Sequence, residues 1–291
     1  MGQLNVIGDF GHWFGPYPKI RKHHSAEHRQ FAQYLGGISA EYVAFSKDGQ
    51  WVAYVSYPEG TLWRSKADGS ERLQLTYPPN YAMMPRWSPD GKKVAFFEII
   101  AGKPSRIYEV SSDGGTPRQL LPDDPLNQLD PNWSPDGNKI VFGGDGSDAT
   151  PTIRVLDLTT HQVSTLPGSQ GFWAPRWSPN GRYIPALSID EKNLLLFDFQ
   201  TQKWTDLAKG RLGWLSFSKD GQYLNIIDYS GTGVVLKIRV SDGKTERLVD
   251  LKNFVTTGHY GTSLALAPDD SLLLLRDAGT QDVYALDWEE P

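Results

Sequence analysis

The 291-residue chain has no cysteine. That excludes a disulfide framework, thiol catalysis and cysteine-ligated zinc, and it suits a reducing or an oxidising compartment equally. Positive charge is not in excess either: 29 Lys and Arg stand against 34 Asp and Glu, a formal net charge of -5. The electrostatic footprint of a nucleic-acid binder is therefore missing, and no direct nucleic acid binding by this domain is expected. No apolar run approaches the roughly 20 residues of a membrane helix. Runs such as Leu194 to Phe197 and Leu272 to Leu275 are strand-sized, so membrane insertion is not expected. Met1 to Trp13 lacks the positive cluster and apolar block of a signal peptide. Localisation stays open, periplasmic or cytoplasmic according to what precedes Met1. Also missing are the Gly-x-Ser-x-Gly elbow of serine hydrolases and both glycine-rich phosphate cradles; the nearest elbow string, Gly261-Thr262-Ser263, runs on into Leu264-Ala265.

Backbone punctuation and aromatic rings are abundant. The 29 Gly and 20 Pro are too many for a bundle of long helices, and 10 Trp, 13 Tyr and 12 Phe can fill a large core. One signature recurs: aromatic, Ser, Pro or Lys, Asp or Asn, Gly. It reads Phe45-Ser46-Lys47-Asp48-Gly49, Trp87-Ser88-Pro89-Asp90-Gly91, Trp133-Ser134-Pro135-Asp136-Gly137, Trp177-Ser178-Pro179-Asn180-Gly181 and Phe217-Ser218-Lys219-Asp220-Gly221. A degenerate sixth copy is Leu266-Ala267-Pro268-Asp269-Asp270, and the last positions step by 42, 46, 44, 40 and 49 residues. Such a period matches one four-stranded propeller blade. A second apolar signature begins at Leu62, Ile107, Ile153, Leu194 and Val235, and thirteen residues after each comes a Leu: Leu75, Leu120, Leu166, Leu207, Leu248.

The letters of the repeat have a physical reading. Ser-Pro-Asp-Gly is a type I turn, Pro setting φ at its second position and Gly taking positive φ at its end, between antiparallel strands. The segments after the turns, such as Trp51 to Val55 and Tyr223 to Ile227, are β-branched and aromatic. Their dense apolarity predicts sheets covered on both faces by neighbouring blades, with the anchor Trp or Phe as core. The expected fold is all-β, a six-bladed β-propeller of four-stranded antiparallel blades over residues 29–291, with anchors at 45, 87, 133, 177, 217 and 266. The sixth unit ends after its third strand, Val283 to Trp288, so residues 29 to 35 are expected to supply its outer strand. A short amphipathic helix from Ser25 to Leu35 is the rival reading. Residues 1–28 form an extension packed on or preceding the ring.

At these repeats the sequence resembles the TolB-like six-bladed propeller family, whose blades carry the Trp-Ser-Pro-Asp-Gly turn. The stretch from Gly36 to Ser65 and the ending Val283 to Trp288 also resemble propellers that follow winged-helix DNA-binding domains in bacterial transcriptional regulators. That resemblance implies a sensor or protein–protein interaction module, without carrying DNA binding over. Fold kinship by itself does not choose among functions.

Chemistry-bearing candidates are few. His24-Ser25-Ala26-Glu27-His28 matches the His-x-x-Glu-His zinc string, but it needs a helix and a third ligand, so His24 and His28 are weak metal candidates. Asp145 and Asp148 offer close oxygen ligands without an EF-hand pattern and rank no higher. No cofactor and no catalytic residue is expected. Recognition on a propeller belongs where loops converge at the channel mouth, and there the units diverge. Met83, Met84, Asp130, Trp173, Trp214 and Tyr260 are the expected binding set. Aromatics and Met suit a protein or peptide partner, whereas Trp173 and Trp214 as packing that plugs the channel is the alternative. The favoured function is a noncatalytic binding module of a larger bacterial protein. A propeller-type hydrolase or lyase using Glu41, Asp130 and His259, with or without calcium, and a purely structural scaffold both stay open.

Overall fold

The computed structural model describes residues 4–7, 38, 40–79, 81–100, 102–144, 150–252, 254 and 263–275. After strand β1 (Leu4–Ile7), the polypeptide builds five antiparallel sheets, each of four consecutive strands in sequence order. Blade 1 is β2 (Ala40–Phe45), β3 (Trp51–Ser56), β4 (Leu62–Lys66) and β5 (Leu73–Gln74). Blade 2 is β6 (Tyr81–Trp87), β7 (Lys93–Ile99), β8 (Arg106–Ser111) and β9 (Arg118–Gln119). Blade 3 is β10 (Leu129–Trp133), β11 (Lys139–Gly143), β12 (Arg154–Asp157) and β13 (Val163–Thr165). Blade 4 is β14 (Phe172–Trp173), β15 (Tyr183–Ser188), β16 (Asn193–Asp198) and β17 (Lys203–Lys209). Blade 5 is β18 (Leu212–Phe217), β19 (Tyr223–Asp228), β20 (Val234–Arg239) and β21 (Thr245–Asp250).

The repeated turn works as its chemistry requires. Gly49, Gly91, Gly137, Gly181 and Gly221 take φ of 72°, 72°, 75°, 76° and 69°, and each donates its N–H to the carbonyl of the turn serine. The serine hydroxyl donates to the Asp or Asn carboxyl or amide oxygen two residues on, at 2.6 Å from Ser88 to Asp90 and 2.7 Å from Ser178 to Asn180. It also accepts the N–H five residues on, as from Lys93 to Ser88 at 2.9 Å. The second strand of each blade is buried on both faces, with Val52 to Val55 and Val94 to Phe96 fully enclosed. Anchor tryptophans tie blade to blade: the Trp87 indole N–H donates to the Ala44 carbonyl and that of Trp133 to the Arg86 carbonyl, both at 3.0 Å. The thirteen-residue lag marks the outer hairpin, where the N–H of Leu75, Leu120 and Leu166 returns to the carbonyl of Leu62, Ile107 and Ile153.

Among the described residues the six-bladed expectation is corrected to five four-stranded blades. The sixth unit is a three-stranded mixed sheet, in which β22 (Leu264–Leu266) pairs antiparallel with β23 (Leu272–Leu275) and β1 lies parallel along the far edge of β23. Where the other units have an aromatic anchor and a closing Gly, this one has Leu266 and Asp270; the turn still closes, with Asp270 at a left-handed φ of 63° and its N–H donating to the Ala267 carbonyl at 2.9 Å. This sheet nevertheless sits between the fifth blade and the first. Leu264, Leu272 and Leu274 pack with Ile227 and Val235, while Ala267 and Leu273 pack with Val43, Val52 and Tyr54. Its turn also meets the next turn as other units do. The Pro268 ring lies against Gly49, just as Pro89 lies beside Gly137, Pro135 beside Gly181 and Pro179 beside Gly221. Residues 29 to 35 and Val283 to Trp288, expected as strands of the last unit, lie outside the described residues.

Candidate functional site in the axial channel

The innermost strand of every blade carries the same irregularity. Three residues before each anchor stands a non-glycine residue at left-handed φ: Tyr42 (51°), Met84 (48°), Asp130 (55°), Ala174 (53°) and Trp214 (58°). The ladder to the second strand shifts there, between Glu41 and Ala44, Met83 and Arg86, Leu129 and Asn132, and Gly213 and Ser216. Three steps on the inner strand oppose two on its neighbour, a bulge that bends the strand and re-aims its side chains. A left-handed conformation at non-glycine residues is backbone strain, held only because the surrounding sheet dictates it.

These bulges shape the channel. Tyr42, Met84 and Trp214 come from blades 1, 2 and 5 yet pack in one cluster, with Tyr42 stacked on Trp214 at 5.9 Å between ring centroids. They line a cavity of about 430 Å³, whose wall is built from the inner strands of the other sheets and, in blade 4, from Arg176 to Pro179 just beyond β14, and runs down to the Ser-Pro turns. Lys47, Lys219 and Asp270 on those turns are exposed, so the cavity opens at the turn end of the ring. Midway along the wall, the residues immediately before the anchors of blades 2, 3 and 4 are Arg86, Asn132 and Arg176. In the remaining sheets the same position is Ala44, Ser216 and Ala265.

This polar arc has an unusual balance. Arg176, with 7% of its side chain accessible, lies 2.9 Å from a carboxylate oxygen of the equally buried Asp130. Its Nη1 donates to the Pro175 carbonyl at 2.8 Å, and its Nε has no partner among the described residues. Arg86 donates through Nη1 to the Pro85 carbonyl at 3.1 Å. Burial, and after it repulsion from Arg176, pull the Arg86 guanidinium down to about 9, with Asp130 opposing the shift. Asn132 accepts the Trp177 N–H at 2.7 Å through Oδ1, which leaves its Nδ2 turned away from that bond.

The expected binding set divides in this setting. Met84 and Trp214 line the cavity, and Asp130 lies behind it on Arg176. Met83 is buried between blades, while Trp173 is half-buried against blade 4 and donates to the Ser188 carbonyl at 3.2 Å. Tyr260, His259, His24, His28, Asp145 and Asp148 lie outside the described residues. Among the described residues no cluster of three metal-ligating side chains occurs, and no helix is long and apolar enough to cross a membrane. Glu41, a lyase candidate, accepts the Tyr81 hydroxyl at 2.9 Å. Sequence reasoning missed Tyr42, Arg86 and Arg176. For the two arginines the signal was available: the position just before the anchor varies between Ala, Arg, Asn and Ser inside an otherwise repeated motif.

No protein-family profile matches the sequence. A TolB homolog of Chlorobium chlorochromatii (strain CaD3) is 34% identical over 165 residues, a match that spans 55% of this chain and 36% of that relative's length. A TolB-type structure from Agrobacterium tumefaciens superposes with a TM-score of 0.65 at 22% identity, covering 82% of this chain and 90% of the other. An oligogalacturonate lyase in complex with manganese is more distant, with a TM-score of 0.56 and 12% identity over 78% of this chain and 67% of that one. The fold is a TolB-like β-propeller.

Proposed function

We propose that the domain is a noncatalytic interaction module that receives a protein or peptide segment in its axial channel. The supporting observation is the cavity itself. Each of the five blades carries the same left-handed residue three positions before its anchor, yet the residues displayed on the wall differ from sheet to sheet, so a constant scaffold carries a non-repeating surface. Met84 and Trp214 in its lining are the contact groups, with Met83, Asp130, Trp173 and Tyr260 completing the proposed set. Rigid aromatic rings give large contact area at low entropic cost. The further reading, a sensing part of a larger bacterial regulatory protein, rests on the likeness of residues 36–65 and 283–288 alone. The lyase alternative has support from the fold likeness, but two of its candidate groups are engaged, Glu41 with Tyr81 and Asp130 with Arg176.

The test is to select binders from a random displayed peptide library and measure the tightest by calorimetry against variants. Trp214→Ala is expected to weaken binding by roughly 2 kcal/mol or more while the fold survives. Leu248→Ala, on the exposed outer strand β21, is expected to change nothing. Peptides sensitive to Leu248 and indifferent to Trp214 would overturn the reading.

A further inference from the structure

We infer that the axial cavity is a carboxylate-binding site, in which Arg86, Asn132 and Arg176 hold a carboxylate carried by a peptide. The inference rests on the interaction-module reading and specifies what that module recognises. The arc supplies donors in surplus. Three consecutive blades place two guanidiniums and one side-chain amide at the same level of the wall, and the only carboxylate paired with them among the described residues is Asp130. The Arg176 Nε is buried with no acceptor among the described residues, and a buried unpaired donor on a charged group is expensive. Burial and mutual repulsion already disfavour the charged form of Arg86, so an anion entering the cavity relieves a strain built into the site.

Charge count selects the class of anion. Two guanidiniums and one carboxylate leave one positive charge in the arc, which a monoanionic carboxylate neutralises and a phosphate dianion oversteps. A guanidinium and a carboxylate also match in bidentate geometry. At the opening, blades 1 and 5 replace the turn proline with exposed Lys47 and Lys219, against Asp270 on the last sheet. The carboxylate can come from the free C-terminus of a peptide or from an Asp or Glu side group within it.

The experiment follows the arginine Nε–H signals by NMR in the ¹⁵N-labelled full-length protein. The probes are acetyl-Gly-Ala-Phe with a free C-terminus, the same peptide as its C-terminal amide, acetyl-Gly-Asp-Gly-amide, and inorganic phosphate. One or both carboxylate peptides are expected to shift the Arg86 and Arg176 signals saturably, and the one that acts identifies the source. The uncharged amide is expected to leave them in place. Arg86→Met is expected to weaken binding about tenfold or more. Because Arg176→Met would strand Asp130, the paired variant Asp130→Asn/Arg176→Gln serves as the second probe, with the same expected loss. Equal binding of acid and amide would overturn the carboxylate site while leaving the interaction module standing. Saturation by phosphate alone, or unchanged binding in folded Arg86→Met, would overturn it as well. Channel-insensitive peptides in the library selection would remove the module reading itself.

Discussion

Gly49 and Gly91 occupy the same place in successive turns and share φ of 72°, but their surroundings differ. A Cβ at Gly91 would meet nothing within 4 Å, whereas one at Gly49 would come within 2.7 Å of the Pro268 ring. Replacing either with Ala imposes the left-handed penalty of an L-residue, about 1–2 kcal/mol. At Gly49 the added methyl must also displace a rigid proline ring in a packed contact, worth about 1–3 kcal/mol more. Gly91→Ala is therefore expected to destabilise by about 1–2 kcal/mol and Gly49→Ala by about 2–5 kcal/mol. Equilibrium urea denaturation followed by tryptophan fluorescence measures both. The difference between them isolates the contact by which the three-stranded sheet closes the ring onto blade 1. Equal destabilisation would refute that contact and with it the closure of the ring at this point.

The turn carboxylates make stability acid-sensitive. Hydrogen bonds from the turn serines, and after them from backbone N–H groups, hold Asp48, Asp90, Asp136 and Asp220 below the ordinary carboxylate value of 3.8. Groups depressed in the folded state stabilise fully above the unfolded value and lose that contribution as pH falls through the folded one, so melting temperature is expected to drop below about pH 4. Asp136→Asn, which imitates Asn180 of blade 4, is expected to flatten part of that drop; an unchanged acid profile would count against it. Ser134→Ala removes the hydroxyl that donates to Asp136 at 2.5 Å and accepts the Lys139 N–H at 2.9 Å, for an expected loss of about 1–2 kcal/mol in urea midpoint analysis.

Much of the fold was legible because the physics of one unit is written five times. Trp-Ser-Pro-Asp-Gly encodes a turn and an inter-blade anchor together, and an apolar run buried on both faces has few alternatives to an inner strand. The last unit was legible only in part. Its degenerate turn, Leu266 to Asp270, does join β22 to β23, but the second partner of β23 is Leu4–Ile7, more than 260 residues away in sequence, with nothing in its four letters to mark a parallel pairing. Within the site, Met84 and Trp214 were reachable from their divergence between units. The bulge that aims them was not, because Tyr42, Met84, Asp130, Ala174 and Trp214 share a backbone conformation without sharing a residue type. Only the sheet register makes that position visible. Arg86 and Arg176 were overlooked for a related reason: adjacency to a recurring tryptophan made them look like part of the scaffold.

The most direct measurement is a crystal structure of the domain with the tightest library-selected peptide bound. The peptide is expected to enter at the turn rim, with a carboxylate against Arg86 and Arg176 and its neighbouring side group over Tyr42 and Trp214. A peptide lying along an outer strand such as β13 or β21, with the axial cavity empty, would contradict the assignment of the channel as the binding surface.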